Sequence, residues 1–114
     1  MSVSISDGPA IVAGYEYRLQ LEADSPVFPA GCALTAHVRA KVSDNTIIAT
    51  LTTGNGGLTR ISDTVVEIAI PPAATAGLSP GSVVMDMVRT DLEPDRHLSF
   101  SLEIPVVRPV TRGL

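Results

Sequence analysis

The sequence predicts an all-β fold: an antiparallel, immunoglobulin-like β-sandwich of six to eight strands, with one short helical turn near 72–78. Three observations carry that expectation. Valine, isoleucine and threonine supply 31 of the 114 residues, and β-branched side chains are stiff at χ1 and fit a pleated sheet better than a helix. Apolar and polar residues alternate over several stretches, the period of a strand with one face in a core. Turn-forming residues separate these stretches at near-regular spacing, as in a sandwich of antiparallel strands.

The first strand is expected from Tyr15 to Glu22, with Tyr15, Tyr17, Leu19 and Leu21 inward and Glu16, Arg18, Gln20 and Glu22 outward. The second covers Leu34 to Lys41, with Leu34, Ala36, Val38 and Ala40 opposite Thr35, His37, Arg39 and Lys41. A third runs from Ile47 to Thr52, and Leu58 to Ile61 forms a short strand or bulged extension. Val65 to Ile70 turns Val66, Ile68 and Ile70 inward. Pro71 to Leu78 is proline-led and alanine-rich, which predicts one helical turn with proline where its missing N–H costs nothing. Two further strands follow, Val83 to Thr90 and Leu98 to Ile104. Residues 10–104 are thus expected to form the sandwich, with an N-terminal arm at 1–9 and a C-terminal tail at 105–114. Pro105 and Pro109 argue against a central strand in that tail, since proline lacks a ladder donor.

Composition narrows the functions. One cysteine, Cys32, allows neither an internal disulfide nor a cysteine zinc cluster. A net charge of −4 argues against a nucleic-acid partner, which would need a basic face. No apolar run approaches the roughly 18 residues of a membrane helix, and the first residues carry no signal-peptide pattern, so no membrane partner and synthesis in a cytosol are expected.

Chemistry-bearing motifs are sparse. Gly54-Asn55-Gly56-Gly57 lacks the Lys-Ser/Thr and the helix of a phosphate cradle, so a plain hairpin loop is expected. Asp91, Glu93 and Asp95 alternate like a calcium loop, but Arg96 and Leu102 stand where glycine and glutamate are needed. His37 and His97 have no partner at ligand spacing, and Cys32 has no adjacent base. No catalytic residue, metal site or cofactor is assigned. Asp86 interrupts the apolar run Val83-Val84-Met85-Asp86-Met87-Val88 on the face of Val84 and Val88, and it is expected to be a structural buried acid, or one at the rim, paired with Arg18 or Arg39 or accepting backbone N–H groups at a sheet edge.

One resemblance rests on the order of features. Ala13 to Leu21 is similar to the opening strand of small β-sandwich modules in bacteriophage virions, the attachment domains of baseplate, tail-fibre and head-fibre proteins. Leu34 to Lys41, Ile47 to Thr52 and Val65 to Ile70 resemble the strands that follow. Gly77-Leu78-Ser79-Pro80-Gly81, Val84 to Val88 and Pro105 to Arg112 resemble the lead-in, the Asp-containing strand and the exit toward a fibre. The resemblance implies a non-enzymatic structural subunit of a virion, made in the host cytoplasm. It would act as adaptor or attachment module in head, tail or baseplate, as a homo-oligomer in contact with other virion proteins. Val3 and Ile5 in the arm, and Pro105, Arg108, Pro109 and Arg112 in the tail, are the expected assembly residues, adding to a neighbour's sheet edge or pairing with its carboxylates. A stand-alone carbohydrate- or protein-binding module is the competing expectation, and a small enzyme ranks behind both.

Overall fold

Two sheets form the molecule. The computed structural model describes residues 3–6, by their backbone, and 10–111. The strands are β1 (Val3–Ser6), β2 (Ile11–Val12), β3 (Tyr17–Ala23), β4 (Leu34–Arg39), β5 (Ala49–Thr52), β6 (Leu58–Arg60), β7 (Val65–Ile70), β8 (Gly81–Arg89) and β9 (Arg96–Val107). A single helical turn, α1 (Pro72–Thr75), joins β7 to β8. One sheet has the order β1-β3-β7-β6 and the other β2-β9-β8-β4-β5. Every pairing is antiparallel except β2 with β9, which is parallel. The all-β sandwich and its helical turn stand as the sequence predicts, with nine strands among the described residues where six to eight were expected, because the short β1 and β2 fall outside the alternating stretches.

The period-two pattern does the sorting. Tyr17, Leu19 and Leu21 of β3, Leu34, Ala36 and Val38 of β4, and Val66, Ile68 and Ile70 of β7 are all buried. Val83, Met85 and Met87 of β8 meet Leu98, Phe100, Ile104 and Val106 of β9 in the same core. Each fully buried Leu, Ile or Val side chain contributes about 1.5–3 kcal/mol. A one-residue slip in any of these strands would exchange this set for the polar one, which fixes the register.

The ends of the strands differ from the sequence expectation for local reasons. Tyr15 is 41% exposed rather than inward. It lies in the turn after Gly14, whose φ of +91° suits glycine, and the strand starts only at Tyr17. Ala40 is exposed because β4 stops at Arg39. Residues 54–57 are not a hairpin loop: they carry the chain from β5 in one sheet to β6 in the other.

The tail is where the correction is largest. β9 runs on through Pro105 to Val107, and Val106 is buried. Backbone polar groups of a strand point to alternate sides, residue by residue. The Val107 carbonyl is turned toward β2, where it accepts from the Ala13 N–H at 3.0 Å. Pro105, two residues earlier, faces that same side and not β8. The donor it lacks is therefore not needed by the β8–β9 ladder, and β2 begins only opposite Val106. In the N-terminal arm, β1 is a strand of the four-stranded sheet, with Val3 opposite Ala23 and Ile5 opposite Leu21.

One buried polar side chain ties the layers. Thr75 is 0% exposed. Its hydroxyl donates to the Tyr15 carbonyl at 2.8 Å and accepts from the Gly14 N–H at 3.2 Å. It thereby pins α1 to the β2–β3 turn.

Candidate functional site

The outer face of the five-stranded sheet gathers most of the polar chemistry. Alternation on β4, β8 and β9 turns His37, Arg39, Asp86, His97 and Ser101 away from the core. His37, Arg39, Val42, Val84, Asp86 and Ser101 line a shallow groove of about 230 Å³ on this face.

Asp86 is neither buried nor paired with arginine. Its side chain is 47% exposed, and Oδ2 accepts from Nε2 of His97 at 2.8 Å. The alternation holds, with Val83, Met85 and Met87 on the core face and Asp86 with Val84 and Val88 on the other; the expectation failed because that second face is the outer one, where the neighbouring valines do not bury the carboxylate. Arg18 serves the other sheet, donating to Glu67 at 2.7 Å and Glu16 at 3.1 Å. Arg39 donates to the carbonyls of Asp44 at 3.1 Å and Asn45 at 2.9 Å, clamping the β4–β5 loop.

His97 sits at an irregularity. Asp86 is opposite Ser101, but Val88 is opposite His97, so β9 carries extra residues between these pairs. Ser99 lies in the bulge at φ +64°. Its N–H donates to Nδ1 of His97 at 2.8 Å. An Nδ1 that accepts carries no proton, so in the neutral ring the proton is on Nε2, aimed at Asp86. His37 has the same tautomer, since Arg39 can only donate to its Nδ1, at 3.4 Å.

Neither ring is set up as a general base toward a nucleophile. Both nitrogens of His97 are engaged, and among the described residues no hydroxyl is hydrogen-bonded to either imidazole. No group of three or more metal-ligating side chains occurs among the described residues. Cys32 is buried, and burial raises its pKa, which disfavours the thiolate. Asp91 is held below the usual carboxylate range by its hydrogen bonds from Arg89, at 2.7 and 3.1 Å. That aspartate anchors a loop by its bonds to Arg89.

A second surface lies where β9 ends. Val12, Tyr15, Pro109 and Val110 line a shallow patch, with Val110 95% and Tyr15 41% exposed. Val107, at the end of β9, is 44% exposed. The Tyr15 hydroxyl donates to the Thr111 carbonyl at 3.0 Å and lays the tail along this end of the sandwich. Of the expected assembly residues, Pro105 and Arg108 are exposed and Pro109 is half-buried. The backbones of Val3 and Ile5 lie on β1, remote in the pairing from the tail, and Arg112 falls outside the described residues. The sequence reading missed Val12, Tyr15 and Val110 as one patch, because it depends on the parallel β2–β9 pairing that brings the tail beside the β2–β3 turn. It also missed the His97–Asp86 pair, which a bulge creates.

No protein-family description matches the chain, and no curated protein matches its sequence.

Proposed function

We propose that the chain is a structural subunit of a phage or phage-like virion, an adaptor or attachment module that works by protein–protein assembly and not by catalysis. The observation that carries this reading is the apolar patch of Val12, Tyr15, Pro109 and Val110 beside the tail. Single exposed apolar residues are ordinary, but a cluster rimmed by polar groups marks an interaction site. The resemblance to virion modules supplies the kind of partner: neighbouring virion proteins packed on this end, with Arg108, exposed and next to Pro109 in the chain, for their carboxylates. The strand orders β1-β3-β7-β6 and β2-β9-β8-β4-β5 support reading the sandwich as the immunoglobulin type.

The test is incorporation. Particles assembled with the Val110→Asp variant should lose the subunit, while the purified variant keeps its melting temperature, since Val110 is almost fully exposed. Wild-type levels of the variant in purified particles would contradict the patch as the docking site.

The groove beside Asp86 favours a second reading, a binding module for a polar ligand or protein. Carbohydrate is the weaker version, because sugar platforms use exposed aromatics and of the four aromatic residues Tyr17, Phe28 and Phe100 are buried.

A further inference from the structure

The chain has two asparagines, Asn45 and Asn55; Thr46 follows the first and Gly56 the second. That difference is chemical, because the backbone nitrogen after an asparagine can attack the carbon of its side-chain amide. Glycine has no Cβ to hinder the approach, whereas a β-branched threonine crowds it. Asn55 and Gly56 are both exposed, so water reaches the bond.

In the folded chain the Asn55 amide is held by three hydrogen bonds. Oδ1 accepts from the Thr52 N–H and from the Gly57 N–H, each at 2.9 Å. Nδ2 donates to the Thr50 carbonyl at 2.9 Å. The amide thus lies along the edge of β5 as a peptide group of a further strand would. Ring closure must draw Cγ toward the Gly56 nitrogen and expel Nδ2, which breaks both contacts with β5. The turn cannot yield by sliding. Gly57 is buried, its carbonyl accepts from the Ala69 N–H of β7 at 2.8 Å, and a Cβ there would meet Leu51 at 2.9 Å.

We propose that Asn55 is a deamidation site gated by the fold: protected in the native turn, converted once the β5–β6 crossover opens, and unable to return. The step needs water and no oxidant or reductant. The Gly56 nitrogen bonds to Cγ of Asn55, and its proton passes through water to Nδ2. The Cγ–Nδ2 bond breaks and Nδ2 leaves as ammonia. Water then adds to either carbonyl of the five-membered imide and opens it to aspartate or isoaspartate. Neither product rebuilds the contact. In aspartate an oxygen replaces Nδ2 and confronts the Thr50 carbonyl, acceptor against acceptor. In isoaspartate the main chain gains a carbon between β5 and the Gly57 carbonyl, which β7 holds in place. The crossover therefore keeps a permanent mark of having opened. The apolar patch beside the tail takes no part, so the inference stands or falls separately from the virion reading.

Peptide mapping by mass spectrometry can follow both asparagines in the full chain, incubated at mildly alkaline pH either folded or in guanidinium chloride. In denaturant Asn55 should convert to a mixture of aspartate and isoaspartate while Asn45 stays unchanged. In the folded chain Asn55 should convert at least about tenfold more slowly, because its hydrogen bonds must open first. Gly56→Ala, compared in denaturant so that folding plays no part, should lose most of the conversion. Asn55→Asp, which installs one product directly, should melt below wild type. Equal rates in the folded and denatured chains would overturn the proposal. So would faster conversion in the folded chain, which would make the two N–H groups on Oδ1 promoters of the attack. An Asn55 that survives denaturant unchanged, a Gly56→Ala chain that converts at the wild-type rate, or an Asn55→Asp chain with the wild-type melting temperature would equally overturn it.

Discussion

The imidazole of His97 reaches across from β9 to β8 and donates its Nε2–H to Oδ2 of Asp86 at 2.8 Å, where the two strands change register. Both side chains are about half-exposed. The pair therefore orients a bulge more than it stabilises a core, because exposed pairs of this kind contribute only about 0–1 kcal/mol. Asp86→Asn should lower unfolding free energy by no more than about 1 kcal/mol. The tautomer is the sharper readout. Nitrogen NMR on the neutral ring should find the proton of His97 on Nε2; a proton on Nδ1 would contradict the bond to the Ser99 N–H.

Thr75 carries more weight than any exposed acid. Thr75→Val keeps the shape of the side chain but leaves the Tyr15 carbonyl and the Gly14 N–H without this partner. The expected loss is about 1–3 kcal/mol, measured by urea denaturation. Thr75→Ser, which retains the hydroxyl, should recover most of it.

The Arg89–Asp91 pair makes the fold sensitive to acid. Hydrogen bonds from Arg89 depress the Asp91 carboxyl below its ordinary value of 3.8. A group depressed in the folded state stabilises above its unfolded pKa, and that contribution is lost as pH falls through the folded value. The stabilisation from Asp91 is thus complete at neutral pH and disappears only below about pH 4. Comparing melting temperatures of wild type and Asp91→Asn should show a gap at pH 7 that closes as pH falls below the ordinary carboxylate range. A gap unchanged by acid would count against the pair.

Asn55 should prove an edge guard. In Asn55→Ala the Thr52 N–H and Thr50 carbonyl lose their amide partner and β5 becomes an open edge. The variant should lose about 1 kcal/mol or more of stability and aggregate faster, by light scattering, than wild type.

Much of this molecule could be read from its residues in order. The stretches with a full apolar–polar period, Tyr17 to Ala23, Leu34 to Arg39 and Val65 to Ile70, became strands within a residue or two of expectation. The proline-led turn formed with Pro72 in its first turn. What stayed hidden depends on partners distant in sequence. β2 is two residues long, and only its parallel pairing with β9 makes it a strand. Pro105 looked like a terminator, because the side of the strand it faces is invisible until the neighbours are known. Asp86 looked buried because Val84 and Val88, which share its face, are apolar, yet that face is the outer one and is only half-covered. The site was less legible than the fold: nothing local in Asp86 or His97 announces a bulge that joins them.

The assembly role is the centre of this account, and a reconstruction of the purified particle from the source of this chain tests it most directly. The account predicts density for a two-sheet sandwich, with a neighbouring protein seated on Val12, Tyr15 and Val110. A complete particle that contains no copy of the chain, or one in which that patch faces open solvent, would contradict it.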